Sequence, residues 1–173
     1  LITPSGKKYS SLKVKDIVFV SLDGKYEKKY KPSSEWRFHQ DIYIKKKDAQ
    51  AIVHTHSTNA TALSVHKKPI PAFHYMVALA GGNDIKCAKY ATYGTRELSK
   101  NILKALNNRK ACLIANHGQI AFDKNLPDAF ELAQEVENLS LQYITALKLG
   151  KPKILSINEM NKVLKKAKNY KRG

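Results

Sequence analysis

The chain has 173 residues, 43% of them hydrophobic, which suits a single domain with one sizeable core rather than two domains. Its 31 basic residues against 14 acidic ones give a formal net charge of +17, a balance that raises nucleic-acid binding. The basic residues are dispersed lysines, however, with no arginine-rich stripe, zinc-finger cysteine spacing or aromatic RNA-binding signature, so they read as a solvated surface whose positive field favours phosphorylated small molecules.

In chain order, Ile17-Val-Phe-Val-Ser21 is β-branched and aromatic and is followed by the turn pair Asp23-Gly24, which predicts early antiparallel strands. Pro32-Ser33-Ser34-Glu35 opens a helix running to about Lys46, with Trp36, Phe38, Ile42 and Tyr43 at apolar spacing. A strand is expected over Ala51–His56, a short helix over Thr58–His66, a loop over Lys67–Pro71 and a helix over Phe73–Ala80, stopped by Gly81-Gly82. Asp84–Ala88 reads as one short strand, and Thr95–Asn108 as a helix with Leu98, Ile102 and Leu106 at i, i+4 and i+8. Ala111–Ala115 is a buried strand, interrupted at Asn116-His117-Gly118 and resumed over Gln119–Phe122. A long helix over Pro127–Leu149 and a terminal one over Ile157–Lys168 complete the reading. Cys87 and Cys112 stand apart in apolar surroundings, no apolar run approaches the roughly 20 residues of a membrane span, and Leu1-Ile-Thr-Pro4 has no signal layout. These features predict a reduced, cytoplasmic protein without a membrane or nucleic-acid partner.

One stretch carries chemistry. In Ala51-Ile-Val-His-Thr-His56 the alternation of a strand sends His54 and His56 to one face and Thr55 to the other, a chelating arrangement. His117, at the end of the next apolar strand and beside a glycine, completes a possible three-nitrogen zinc site with one position open. Glu35, one turn into a helix whose first hydroxyls are Ser33 and Ser34, can serve as an acid or base beside an anion-binding helix start. Read singly, each has a plainer account: solvated histidines, a turn histidine, a helix-dipole glutamate.

The ordered set Pro32-Ser-Ser-Glu-Trp-Arg-Phe-His39, Ile52-Val-His-Thr-His56, Pro71-Ala-Phe-His-Tyr75, Cys87-Ala-Lys-Tyr-Ala-Thr-Tyr-Gly-Thr95, Arg109-Lys-Ala-Cys-Leu-Ile-Ala-Asn-His-Gly118 and Ala133-Gln-Glu-Val-Glu137 resembles the class II aldolase and adducin family. The resemblance extends from Ile2-Thr-Pro-Ser-Gly6 to the C-terminus. It implies one three-layer α/β/α domain over residues 1–173 with a central, largely antiparallel mixed sheet. It also implies a Zn2+ ion held by His54, His56 and His117, with Glu35 as the acid–base carboxylate. Ser5, Gly6, Ser33 and Ser34 would bind the substrate phosphate, Ser5 standing where relatives often have threonine. Family sites lie between subunits of a cyclic tetramer, and Tyr75 and Tyr170 match catalytic tyrosines that reach in from a neighbour. Ala167 departs from the pattern, which has an aromatic residue three places before the last tyrosine. The chain also starts at the Ile-Thr-Pro loop, so the resemblance implies that it lacks the family's preceding helix and the Gly-Asn-x-Ser segment with its phosphate-binding asparagine.

The implied activity is reversible cleavage of a ketose 1-phosphate, a phosphorylated deoxysugar, into dihydroxyacetone phosphate and an aldehyde. Cleavage leaves negative charge on the phosphate-bearing half, which a divalent cation stabilises as a Lewis acid. Within the family, a pentulose-phosphate 4-epimerase typically has aspartate where Glu35 stands, and non-catalytic adducin-like members are expected to lose the histidines. A methylthioribulose-phosphate dehydratase also carries the glutamate and stays open as an alternative.

Overall fold

The computed structural model describes residues 1–27 and 29–170, with side chains as far as residue 167. Its centre is a four-stranded sheet of β1 (Ala51–Thr55), β6 (Gly118–Asp123), β5 (Ala111–Ile114) and β4 (Cys87–Ala88), in that spatial order. β1 pairs antiparallel with β6, and β6 with β5, while β4 runs parallel to β5. A separate two-stranded ribbon joins β2 (Ile70–Pro71) to β3 (Asp84–Ile85).

The pleat sorts the apolar residues into two cores. On one face, Ile52, Cys112, Ile114, Ile120 and Phe122 pack against α1 (Trp36–Lys45) through Phe38 and Ile42, and against α3 (Arg96–Ala105) through Leu98 and Ile102. On the other, Val53, Ala111, Leu113 and Ala121 meet α2 (Thr58–Ser64), α4 (Leu126–Lys148) and α5 (Ile157–Tyr170) through Leu63, Leu132, Val136, Leu139 and Met160. The result is the expected mixed α/β arrangement of a central sheet between helical layers. α1 and α3 are further joined by the Ser99 hydroxyl, which donates to the Asp41 carboxylate.

Side-chain capping explains the starts of α3 and α4. Thr95 Oγ1 accepts from Leu98 N–H at 3.2 Å, and Asn125 Oδ1 accepts from Asp128 N–H at 2.8 Å. Besides the expected loop over Lys67–Pro71, which ends in β2, four segments differ from the sequence reading. The early strands are isolated antiparallel bridges, Ile2 to Val18 and Val20 to Tyr26, around a turn in which Gly24 has φ +84°. Phe19 is 65% exposed, so no continuous buried face rewards a full ladder there. Phe73–Ala80 forms only a 3-10 helix over Tyr75–Ala80, because a turn from Phe73 N–H to the Pro71 carbonyl and an extended His74 hold the preceding residues outside it. Asp84–Ala88 is split at Lys86: β3 joins the ribbon and β4 the main sheet. Finally, β6 reverses rather than resumes β5. His117 N–H bonds the Ile114 carbonyl at 3.0 Å and Asn116 adopts φ +53°, a conformation asparagine tolerates, so the interruption is a hairpin turn.

Leu98 is fully buried between α3 and the sheet. Leu98→Ala is expected to cost about 2–5 kcal/mol in urea unfolding, as large-to-small core changes do.

Candidate metal centre and substrate cleft

The pleat that divides the cores also aims the histidines. His54 shares the face of Ile52, and its ring meets Phe38 of α1 edge-on with centroids 5.2 Å apart. His56, just past β1, follows the same alternation, and the β5–β6 turn delivers His117 from the neighbouring hairpin. Glu35 lies at the N-terminal boundary of α1, where Ser33 Oγ accepts from its N–H at 3.3 Å. One ligand atom from each of Glu35, His54, His56 and His117 lies within 4.8 Å of the others.

Glu35 Oε2 is 2.8 Å from His54 Nε2 and 3.0 Å from His117 Nε2, and the Nε2 atoms of His54 and His56 are 3.1 Å apart. His54 Nδ1 faces the Gln119 main-chain oxygen at 2.8 Å, so the ring is anchored through Nδ1 and turns Nε2 inward. Burial would push the Glu35 carboxyl up, but hydrogen bonds from His117 and His54, with the charges of both rings, outweigh it and bring it down to about 2. His56 is held below the ordinary imidazole value by burial and by His54 and His117.

The donor set fits a divalent cation. Three imidazole nitrogens and a carboxylate converge, and Glu35 Oε1 is buried with no hydrogen-bond partner among the described residues. A buried acceptor left unpaired is costly, and cation coordination removes that cost.

The cluster forms part of the wall of a cleft of about 920 Å³. Thr3, Ser33 and Ser34 also line it. Ser5 and Gly6 do not, although Ser5 N–H bonds the Lys31 carbonyl and Ser33 N–H the Thr3 carbonyl, which keeps their loop beside the serines. Tyr75 is 54% exposed at the start of its 3-10 helix and is not on this wall. The Tyr170 side chain lies outside the described residues. Sequence reading passed over His39, Tyr43, Tyr90 and Tyr93, all on the wall. Tyr90 and Tyr93 belong to a quoted motif to which no role was given, whereas His39 and Tyr43 looked like ordinary helix positions. His39, half-buried on the wall, stacks on Phe38 with ring centroids 4.9 Å apart, and desolvation, followed by the neighbouring His54, pushes it down to about 3.

Residues 1–144 match the family described as Class II Aldolase and Adducin N-terminal domain. The chain belongs to the class II aldolase family and is a class II aldehyde-lyase. It is 52% identical to a 5-methylthioribulose-1-phosphate/5-deoxyribulose-1-phosphate aldolase of Rhodospirillum rubrum, over 98% of this chain and 77% of that relative. It is 50% identical to the L-fuculose phosphate aldolase of Escherichia coli K12, over 98% of this chain and 80% of the relative. A solved L-fuculose 1-phosphate aldolase superposes with a TM-score of 0.92 at 43% identity, covering 96% of this chain and 78% of that one. Among the described residues no helix is long and apolar enough to cross a membrane.

Gly118 permits the close approach of β6 to the end of β1. A Cβ there would sit 2.3 Å from the Thr55 carbonyl oxygen and 3.2 Å from His56 Cα. Gly118→Ala is therefore expected to cost about 1–3 kcal/mol of stability, as overpacking does, and to lower metal content by displacing His56. Thermal unfolding and metal analysis of the purified variant check both.

Proposed function

We propose that the chain is a zinc-dependent aldolase that reversibly cleaves a ketose 1-phosphate into dihydroxyacetone phosphate and a short aldehyde, working as a cytoplasmic homotetramer. The observation that carries this reading is the Glu35 carboxylate, buried and bonded to two of three converging histidines, with one oxygen unpaired among the described residues. Zinc suits this set because imidazole nitrogens with one open position are the usual catalytic arrangement for that ion. Bound there, zinc supplies Lewis-acid stabilisation of the negative charge that develops on the dihydroxyacetone half.

The chain's own groups do the rest. In the direction of synthesis, Glu35 takes a proton from the carbon of dihydroxyacetone phosphate that becomes the nucleophile. The electron pair left on that carbon forms the bond to the aldehyde carbon, and a phenol of Tyr75 or Tyr170 from a neighbouring subunit gives its proton to the aldehyde oxygen. Ser33, Ser34 and the Thr3–Gly6 loop bind the phosphate, assisted by the positive field of a chain carrying +17. His54, His56 and His117 keep the ion's full charge because all three are neutral ligands.

The aldehyde half has two readings. L-Fuculose 1-phosphate yields L-lactaldehyde, whereas the name of the Rhodospirillum relative, the more identical of the two curated relatives described above, favours 5-deoxy- or 5-methylthioribulose 1-phosphate, which yield acetaldehyde or methylthioacetaldehyde. Incubating the zinc-loaded protein with dihydroxyacetone phosphate and each aldehyde, and comparing kcat/KM, separates them; no condensation with any of the three would sink the aldolase reading.

Two outcomes are expected of variants. His54→Ala and His117→Ala should lose zinc by metal analysis. Glu35→Gln should keep zinc yet lose exchange of the dihydroxyacetone phosphate proton with heavy water, because the amide retains the shape and gives up the basicity. Light scattering of the wild-type protein should report a tetramer; a fully active monomer would remove Tyr75 and Tyr170 from their assigned roles.

A further inference from the structure

Glu137, near the middle of α4, touches neither the cleft nor the histidines, yet its carboxylate is fully engaged. Oε1 accepts from Asn59 N–H and from the Asn59 side-chain amide, and Oε2 accepts from Ala60 N–H, each at 2.8 Å. These donors form the first turn of α2, which begins two residues after His56. Helix N-termini are usually closed by the side chain of the residue just before them. Ser57, which stands there, makes no such cap.

The Ser57 hydroxyl is used elsewhere. Its oxygen accepts from Gln119 Nε2 at 3.0 Å and from the Thr55 hydroxyl at 3.3 Å. Gln119 Nε2 also donates to the Ala133 carbonyl of α4 at 2.9 Å, and the Gln119 main-chain oxygen is the group that anchors His54 Nδ1. At the far end of α2, Ser64 Oγ accepts from His117 N–H at 3.3 Å, and the Ser64 carbonyl accepts from Asn116 N–H at 3.3 Å. α2 is thus clamped to α4 at its start and to the His117 turn at its end. The supports of all three histidines meet in one helix and one glutamine.

We infer that Glu137 is a positioning residue for the metal-ligating histidines, acting on His56 through the first turn of α2 and on His117 through the far end of the same helix. A carboxylate is the group required. Two oxygens lying side by side accept from consecutive main-chain N–H groups, and an amide in its place would turn one of those contacts into a donor facing a donor. The support acts on ligand placement, where small displacements matter because a metal binds at fixed distances.

This inference rests on the proposed metal site, and cobalt(II) titration separates the two. Wild type, Glu137→Gln and Glu137→Asp are titrated with cobalt(II) at a temperature well below the unfolding of each apoprotein, following the visible ligand-field spectrum. The expected result for Glu137→Gln is a cobalt dissociation constant raised about 10- to 100-fold, the usual range for lost support of a metal ligand, with an altered spectrum. Glu137→Asp, which keeps the charge but draws the carboxylate back from the Asn59 and Ala60 N–H groups, should show the same change in smaller measure. A lower melting temperature for Glu137→Gln with wild-type affinity and spectrum would make the residue merely structural and overturn the inference. Should Glu137→Gln fail to fold, Glu137→Asp decides by the same two readouts, and wild-type values there overturn it. Failure of the wild-type protein to bind cobalt would instead overturn the metal site itself.

Discussion

One carboxylate oxygen, Glu35 Oε2, joins three stretches of chain: the start of α1, the β1 strand through His54, and the β5–β6 turn through His117, 82 residues away. Burying a carboxylate is expensive unless it is hydrogen-bonded, and here two imidazoles supply those bonds. The cost is met only if β1, the hairpin and α1 arrive together, so the geometry of the centre depends on the sheet being formed and both helical layers being in place. That dependence explains why so much of the surrounding order, from the Gly118 contact to the Ser64 bonds, converges on a few atoms.

The two cores divide the labour. The α1–α3 side carries the fully buried aliphatic residues Ile42, Leu98, Ile102, Ile114 and Ile120, and the metal-facing rings emerge at its edge, beside Phe38. The α2–α4–α5 side holds the polar supports, Glu137, Ser57, Gln119 and Ser64, which fix main-chain positions rather than touching the cleft. Phe38 packs against the His54 ring and the Gln119 main-chain oxygen fixes its direction, while hydrogen bonds from the opposite layer hold the backbone at α2 and the His117 turn. A site held from both faces of a sheet is stiffer than one resting on either alone, as suits groups that must hold an ion at fixed distances.

The fold match to a solved L-fuculose 1-phosphate aldolase and the identities to aldolases named for two different sugars place this chain in the class II aldolase family. The cleft has two parts. Its metal-facing end is polar and closely specified by four residues, whereas Tyr90, Tyr93 and Ile2 line the remainder as a more apolar wall.

Several determinants of this protein could be read directly from the sequence. Two-residue alternation put His54 and His56 on one face, the apolar run before His117 marked a strand end, and the spacing of Leu98, Ile102 and Leu106 marked a buried helix, because periodicity is a local property of the chain. The order of motifs then identified the family. The tertiary structure decided what depends on distant partners. Asp84–Ala88 looks like one strand, but its halves belong to different sheets because Asp84–Ile85 pairs with β2 and Cys87–Ala88 with β5. The hairpin reversal at Asn116 needed a partner for β6 on each edge, and His39 became part of a cleft only when α1 docked on the sheet. Glu137 carries the sharpest lesson: its role is set by three 2.8 Å contacts to residues 77 and 78 positions away, a separation that no local pattern encodes.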